Sequence, residues 1–290
     1  MKKKVTKLDA ISYGFISLLV IASLLPMLMI IISSLTDNNT ILRNGYTFFP
    51  EKWSVYAYNY IFASAKDVVR SYEVTLIITA VGTGVGLVVT SLAGYVLNCK
   101  KFKYRNHFSF FFYFTTLFSG GLVPFYIMVA TVLGLKDNLL AVILPGLTSP
   151  FLIILMRSFI TTSIPDSLME SMRIDGATDF TVFIRLVLPL LKPALATVGL
   201  FLALNYWNGW YLPMLFLNRP GDFPIQYYLH NMMSVQRMAA ASGAAVQGIQ
   251  FPGESIKMAM AVVATVPILL AYPFVQRYFV EGLTVGAVKE

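Results

Sequence analysis

Charged residues and cysteine are scarce in this chain. Aspartate, glutamate, lysine and arginine make up 12% of its 290 residues, about half the share found in an ordinary soluble domain. Cys99 is the single cysteine, and apolar residues make up 57% of the sequence. This composition excludes a soluble enzyme, a disordered chain, a coiled coil and a disulfide scaffold. It indicates an integral membrane protein.

Six apolar stretches, each without Asp, Glu, Lys, Arg or His, are long enough to cross a bilayer as helices. They are residues 11–35, 74–97, 108–133, 139–156, 194–217 and 258–276. They predict an all-α integral membrane protein with six transmembrane helices in a single domain over residues 1–290. The first stretch is too long for the apolar region of a cleaved signal peptide. It is also not followed by the small-residue pattern of a cleavage site.

The basic residues predict how these helices are oriented. Four lysines precede the first stretch, and the dense run Lys100, Lys101, Lys103 and Arg105 lies directly beside the second. Positive residues next to spans favour the cytoplasmic side. The N- and C-termini and the long loop at residues 157–193 are therefore expected to be cytoplasmic.

No ionisable side chain lies within the apolar stretches, whereas ion-driven transporters usually hold such groups at membrane depth and ion channels need polar or charged rings. The sequence also lacks the G-x-x-x-x-G-K-[ST] phosphate loop. His107 and His230 are far apart and have no accompanying Cys or carboxylate cluster, which disfavours a metal site or catalysis. We therefore expect no catalytic residues and an energy source outside this chain.

The loop at residues 157–193 is expected to form two short helices. Ser163 is a good N-cap, with Asp166 three residues later, and Gly176 stands where a C-cap glycine belongs. Thr178 is expected to cap the second helix, and Pro189 to end it.

The second short helix is predicted to carry one apolar face. Four residues follow the i, i+3, i+4 and i+7 spacing of a single helical face: Phe180, Phe183, Ile184 and Val187. On a segment outside the membrane, such a face favours a docking surface for a partner protein. Alternatively, the face lies flat on the bilayer surface.

This loop resembles the EAA loop of ABC importer permeases. The usual pattern is E-A-A-x-x-D-G-A, followed by F-x-x-I-x-L-P-x-x-x-P. Here it reads Glu170-Ser-Met-Arg-Ile-Asp-Gly-Ala177, then Phe183, Leu186, Leu188-Pro189 and Pro193. Ser171 and Met172 replace the usual alanines and Leu186 replaces isoleucine, while the spacing is intact over residues 170–193.

The resemblance extends over nearly the whole chain. Gly134-Leu135, Trp207-Asn208 and the tail Gly282-Leu-Thr-Val-Gly-Ala-Val-Lys289 are similar to MalG-type permeases of carbohydrate importers. This implies a permease subunit of an ATP-driven importer for sugars or oligosaccharides in a bacterial cell membrane, working by alternating access. A permease for peptides or amino acids would share the EAA loop, and a secondary transporter would need an intramembrane charge and usually repeated halves.

The resemblance also implies partners. They are a second homologous permease, a dimer of ATPase subunits that bind ATP and Mg²⁺, and an extracellular solute-binding lipoprotein. This chain itself would contact sugar and lipid, and would bind no cofactor, metal or nucleic acid. The residues that the resemblance assigns to ATPase coupling are Glu170, Arg173, Asp175, Gly176, Ala177, Phe180, Phe183 and Pro189.

A sugar path is expected to combine aromatic rings with neutral hydrogen-bonding groups, because sugars carry apolar C–H faces and many hydroxyls. The candidates are Tyr126, Asn205, Tyr206, Trp207, Asn208, Trp210 and Tyr211. Taken singly, each also fits an interfacial aromatic belt or helix packing. Because the apolar stretches contain no basic side chain to pair with a uronate, the sequence predicts a neutral or weakly charged glycan.

Small residues recur every four positions along the second stretch: Gly82, Gly86, Thr90 and Gly94. Residues four apart share one helix face, and small side chains allow close helix approach. The favoured interpretation is packing within the chain. In the third and fourth stretches, Pro124, Pro145 and Pro150 predict kinks that either line a pathway or serve packing.

Overall fold

The computed structural model describes residues 7–241 and 253–287, and in these residues extended pairing is confined to one isolated bridge between Thr36 and Trp53. Everything else with regular structure there is helical. The helices are α1 (Lys7–Ser34), α2 (Asn38–Asn44), α3 (Tyr56–Ile61), α4 (Ala65–Asn98), α5 (Arg105–Leu117), α6 (Leu122–Ile127), α7 (Leu140–Gly146), α8 (Pro150–Ser163), α9 (Asp166–Ile174), α10 (Asp179–Val182), α11 (Leu188–Leu190), α12 (Lys192–Trp207), α13 (Tyr211–Phe216), α14 (Ile225–Ala241) and α15 (Gly253–Ala287). Short π-helical turns follow α6 and α10, at Met128–Val132 and Phe183–Val187.

By length and composition, three helical segments of the described residues can cross a membrane alone: Ile11–Ser34, Tyr56–Asn98 and Gly253–Leu270. Three bent helix pairs qualify when each is counted as one span, which raises the number to 6. The pairs are Arg105–Leu117 with Leu122–Val132 (115°), Leu140–Gly146 with Pro150–Ser163 (44°), and Asp179–Leu190 with Lys192–Trp207 (83°). The helical class is confirmed, and the six-span arrangement stays a prediction.

The third and fourth predicted stretches break beside their glycines and prolines, as the sequence indicated. The stretch 108–133 breaks before Gly121, whose φ of 88° no ordinary side chain adopts easily, while Pro124 lies inside α6. Pro150 begins α8 after a break rather than kinking a continuous helix, which suits its missing N–H. The stretch 194–217 divides between α12 and α13 at residues 208–210.

The loop predicted to begin at Arg157 begins later. Helix α8 continues to Ser163, and Arg157 is half-buried within it and donates a hydrogen bond to Ser109 Oγ of α5 at 2.8 Å. The arginine therefore joins two helices, because a cation near the end of an apolar helix is stabilised by a hydroxyl partner.

The chain divides into two compact units, of which the first comprises Met1–Val68 and Asn231–Leu269. In this unit Asn38 Oδ1 accepts a hydrogen bond from the backbone N–H of Glu254 at 3.0 Å. The hydroxyl of Tyr46 donates to Glu254 Oε2 at 2.7 Å, and this bond raises the pKa of Tyr46 above its usual value. The amide oxygen of Asn38 thereby satisfies a free backbone N–H group at the start of α15.

The second unit comprises Val69–His230 and Leu270–Glu290 and contains most of α4. A Cβ added to Gly82 would lie 2.5 Å from the ring of Tyr206, and one at Gly94 would lie 2.9 Å from Met156. A Cβ at Gly86 would lie 3.2 Å from Leu202. The small-residue ridge thus packs α12 and α8 against α4, which confirms the interpretation as packing within the chain.

Candidate functional site

Most of the EAA pattern lies between the end of α8 and the start of α12, at residues 164–191, and we refer to these residues as the coupling segment. Its first helix, α9, begins at Asp166 after Pro165, and Ser163 is the last residue of α8. The prediction of Ser163 as an N-cap was therefore wrong. The carboxylate of Asp166 instead forms an ion pair with Lys100, at the turn after α4.

Gly176 ends α9 as the sequence predicted. Its φ is +85°, and its N–H donates to the carbonyl of Arg173 at 3.1 Å, while the N–H of Ala177 donates to the carbonyl of Met172 at 2.9 Å. Thr178 then caps α10, because its Oγ1 accepts from the N–H of Thr181 at 3.3 Å. The glycine turn and the threonine cap are both confirmed.

The second helix ends at Leu190, one residue after the predicted end at Pro189. The chain continues through the π-helical turn Phe183–Val187 into α11, where Pro189 lies in the first turn. Proline has no N–H, and its ring would clash with the carbonyl four residues earlier in a regular α-helix. A π-turn, with hydrogen bonds one residue longer, accommodates that ring.

The residues of the predicted apolar face differ in burial. Phe183 is 4% exposed and Val187 is fully buried, whereas Phe180 and Ile184 are 66% and 44% exposed. The ring centroid of Phe183 lies 5.4 Å from that of Tyr95 on α4. Phe180, Phe183 and Ile184 together line one apolar groove of about 440 Å³ beside α4, so these three residues share one side of the second helix.

The outer side of the coupling segment is apolar with a few charges. Leu168 and Ile174 of α9 are 45% and 85% exposed, and Phe180 and Ile184 of the second helix are exposed as well. We call these four residues the outer apolar patch. Glu170, Asp175 and Arg185 are exposed along the same segment, whereas Ala177 packs against the buried core that contains Phe183.

Arg173 is held inside the segment. Its Nε donates to Asp179 Oδ1 at 2.8 Å and its NH2 group to Cys99 Sγ at 3.7 Å, and its side chain is 17% exposed. Burial lowers the pKa of Arg173, but the hydrogen bond and charge of Asp179 outweigh burial, so this pKa lies above its usual value. The backbone carbonyl of Asp179 also accepts from Tyr95 Oη at 3.3 Å. This network fastens the second helix to α9 and α4.

Replacing Arg173 by methionine is expected to loosen the coupling segment without unfolding the spans. Asp179 is 63% exposed, so solvent screening limits the lost pairing to about 1 kcal/mol or less. Hydrogen exchange of residues 166–190 should then quicken by up to about fivefold. Arg185→Met, which removes an exposed charge from the same segment, is the control. Equal exchange in the two variants would contradict an anchoring role for Arg173.

A groove of about 390 Å³ lies between α9 and the end of α4. Charges of both signs line it, and the ion pair of Lys100 with Asp166 closes one part of it. The lining residues are Asn98, Cys99, Lys100, Lys101, Asp166, Met169, Glu170, Arg173 and Ile174. Glu170 is thus exposed beside a basic turn, and no hydrogen bond or ion pair of its carboxylate is seen among the described residues.

Five of the predicted sugar-path residues line one cleft of about 520 Å³. They are Asn205, Tyr206, Asn208, Trp210 and Tyr211. The break between α12 and α13 brings them together, because the chain turns at residues 208–210. The remaining lining residues are apolar or glycine: Val142, Gly146, Phe201, Leu204, Gly209, Leu212 and Pro213. No charged side chain is among these described lining residues.

Tyr206 serves packing as well as the cleft. It is 5% exposed, and its hydroxyl donates to the carbonyl of Ile143 at 2.8 Å. Added Cβ atoms at Gly82 and at Gly146 would lie 2.5 and 2.8 Å from its ring. The ring is therefore held between two glycines, with its one hydrogen-bond donor already used.

Two candidates do not join the cleft. Tyr126 stacks on Phe216 with ring centroids 5.5 Å apart and planes at 7°, in a separate apolar cluster. Trp207 is half-buried and is not among the cleft's lining residues. Tyr126 therefore serves helix packing, which was the alternative interpretation of these aromatic residues.

The sequence missed one neighbour of the cleft. The imidazole of His230, on α14, stacks on the indole of Trp210 with centroids 4.4 Å apart and planes at 20°. No sequence pattern joins these two residues, because Trp210 lies in the break before α13 and His230 lies on α14. In the described residues no group of three or more His, Cys, Asp or Glu side chains is placed to hold a metal ion.

The chain belongs to the family of binding-protein-dependent transport system inner membrane components, whose model matches residues 2–285. It is therefore a permease of an ABC importer and a multi-pass protein of the bacterial membrane.

Named relatives agree with the family. The chain is 37% identical to the polygalacturonan/rhamnogalacturonan transport system permease protein YtcP of Bacillus subtilis, over 97% of this chain and 98% of the relative. It is 30% identical to the arabinooligosaccharides transport system permease protein AraQ of Halalkalibacterium halodurans, over 100% of both chains. A crystal structure of a bacterial ABC transporter that imports the acidic polysaccharide alginate superposes with a TM-score of 0.79 and 28% identity, covering 96% of this chain and 100% of that one.

Proposed function

We propose that this chain is a transmembrane permease subunit that imports sugars or oligosaccharides, forming half of the translocation path. Its relatives carry polygalacturonan or rhamnogalacturonan and arabinooligosaccharides, and its structural neighbour imports alginate. The cleft of aromatic rings and amides suits such ligands, because ring faces contact sugar C–H groups and amides bond hydroxyls. Neither a peptide permease nor a secondary transporter is among the relatives reported above.

The observation that carries this proposal is the coupling segment, which combines a fastened inner side with an exposed outer side. Met169 and Phe183 are 4% exposed in the core of the chain, while the four residues of the outer apolar patch are 44–85% exposed. An exposed apolar patch with charges at its edge is typical of a protein interface. In this proposal the patch docks on an ATPase subunit, with Glu170 and Asp175 at its rim.

Alternating access follows from this arrangement. Six spans with both termini in the cytoplasm place the coupling segment on the ATPase side. ATP and Mg²⁺ bind to a dimer of separate ATPase subunits, and their closure pulls on the coupling segment. Because Arg173 and Tyr95 fasten that segment to α4, its displacement moves the helix that packs against the cleft residue Tyr206. A second homologous permease and an extracellular solute-binding lipoprotein complete the importer.

The charge of the substrate is the open part of the proposal. Two of the proteins above carry acidic polysaccharides by name or title and one carries arabinooligosaccharides. The absence of basic residues from the cleft therefore does not by itself identify a neutral glycan. We propose that this chain contacts the sugar through rings and amides, and that any pairing of a uronate comes from the second permease or the binding protein.

Affinity purification of the tagged chain from its native membrane tests the proposal. We expect a second permease and an ABC ATPase to co-purify, identified by mass spectrometry, while this chain alone hydrolyses no ATP. The complex is then reconstituted in proteoliposomes with its binding protein, and uptake of trigalacturonate and arabinotriose is measured against a dipeptide. Uptake of the dipeptide alone, or turnover of ATP by the isolated chain, would contradict the proposal.

A further inference from the structure

A ring stack connects the cleft to a helix that does not line it. The indole of Trp210 lines the cleft and is 40% exposed. One of its faces lies against the imidazole of His230, with centroids 4.4 Å apart and planes at 20°. The ring of Tyr211 meets the indole edge-on, with centroids 5.8 Å apart and planes at 82°. Two rings in different planes thus limit how the indole can turn.

The helix that carries His230 is fixed at its start. The N–H of Ile225, the first residue of α14, donates to Thr75 Oγ1 on α4 at 2.8 Å. Both residues are fully buried, and a hydrogen bond between buried groups holds its geometry firmly. Leu229, beside His230, is 4% exposed. The imidazole therefore projects from a helix whose first residue is hydrogen-bonded to α4.

We propose that His230 is a positioning residue for carbohydrate recognition, holding the indole of Trp210 as a stacking platform for one pyranose ring of the transported sugar. This inference rests on the proposed function. An aromatic platform binds more tightly when its ring is already oriented, because less conformational freedom is lost on binding. Tyr206 is not an alternative platform, since its ring is held between Gly82 and Gly146.

The stack predicts a graded effect on affinity. Aromatic pairs of this kind correspond to roughly a two- to tenfold effect on an equilibrium constant. In proteoliposomes, His230→Ala is expected to raise the KM for the transported trisaccharide by about that factor and to leave the maximal rate nearly unchanged. His230→Phe, which restores a flat ring without ring nitrogens, is expected to recover most of the affinity.

A matched control and a spectroscopic signal separate positioning from general damage. His107, the other histidine, lies exposed on α5 with its ring edge-on to Tyr104, so His107→Ala should leave KM unchanged. Indole fluorescence should shift when His230 is replaced by alanine, and that shift should vanish in the Trp210→Phe background.

The inference is overturned if His230→Ala leaves the KM of a transporting complex unchanged, or if His230→Phe fails to recover affinity although the protein folds. An unchanged KM for Trp210→Phe would likewise assign the indole to an interfacial aromatic belt. If the unmodified complex transports neither trigalacturonate nor arabinotriose, the proposed function fails first, and this inference falls with it.

Discussion

Gly176→Val is expected to abolish most ATPase docking while leaving the membrane helices folded. Gly176 has a φ of +85°, and a Cβ there would meet no atom within 4 Å. The cost is therefore backbone strain, about 1–3 kcal/mol for a β-branched residue in this conformation. Relief of that strain turns α9 relative to α10 and shifts Ile174 relative to Phe180 in the outer apolar patch. A free-energy cost of this size corresponds to roughly 5–150-fold weaker binding of the ATPase. The measurement is the amount of ATPase that co-purifies with the tagged chain.

Gly45→Val provides a control with the same backbone demand. Gly45 follows α2 with a φ of +72° and also has open space at its Cβ, but it lies in the other unit of the chain. We expect its strain to lower stability without lowering ATPase recovery. Glu170→Ala should weaken docking mildly, because an exposed ion pair contributes about 0–1 kcal/mol. Wild-type recovery and sugar-stimulated ATP hydrolysis with Gly176→Val would favour the alternative of a helix lying on the membrane surface.

Gly82→Ala is expected to destabilise the chain, although alanine is the better helix former. The new methyl group would lie 2.5 Å from the ring of Tyr206. That ring cannot retreat, because Gly146 closes its other side and the carbonyl of Ile143 holds its hydroxyl. Overpacking of this kind costs about 1–3 kcal/mol. The measurement is thermal unfolding in detergent, and sugar uptake should fall as well because Tyr206 lines the cleft.

Gly84→Ala is the control that separates the effect of overpacking at residue 82 from the higher helix propensity of alanine. Gly84 lies two residues further along α4 with nothing within 4 Å of its added Cβ, so its substitution should gain up to about 1 kcal/mol. In a Tyr206→Ala background, Gly82→Ala should no longer be destabilising. Equal melting temperatures for the two single alanine variants would show that Tyr206 does not press on Gly82 in solution.

The sequence predicted correctly those features whose physical cause lies within a few neighbouring residues. The positive φ of Gly176 and the cap by Thr178 follow from backbone sterics and a hydrogen bond three residues long, and both are present. Apolar length likewise predicted helices, since no other chain conformation satisfies its own backbone in lipid. The small-residue ridge predicted close packing for the same elementary reason, the absence of a side chain at Gly82.

The errors arose where a local rule met a competing demand. Ser163 has the side chain of a good N-cap, but it is the last residue of α8. Pro165 therefore occupies the N-cap position of α9. The spacing of Phe180, Phe183, Ile184 and Val187 assumed a regular α-helix. A π-helical turn occupies Phe183–Val187 instead, and the exposure of the four side chains ranges from 66% at Phe180 to 0% at Val187.

The sequence by itself determined the helical membrane class and the family, because hydropathy, spacing and motif order are one-dimensional properties. Only the tertiary structure decided that Arg173 pairs with Asp179 and Cys99 rather than standing free for a partner. It alone decided that five polar and aromatic residues share a cleft while Tyr126 does not, and that His230 backs Trp210. These contacts join residues on different helices, and their formation depends on how the helices pack, which no local pattern encodes.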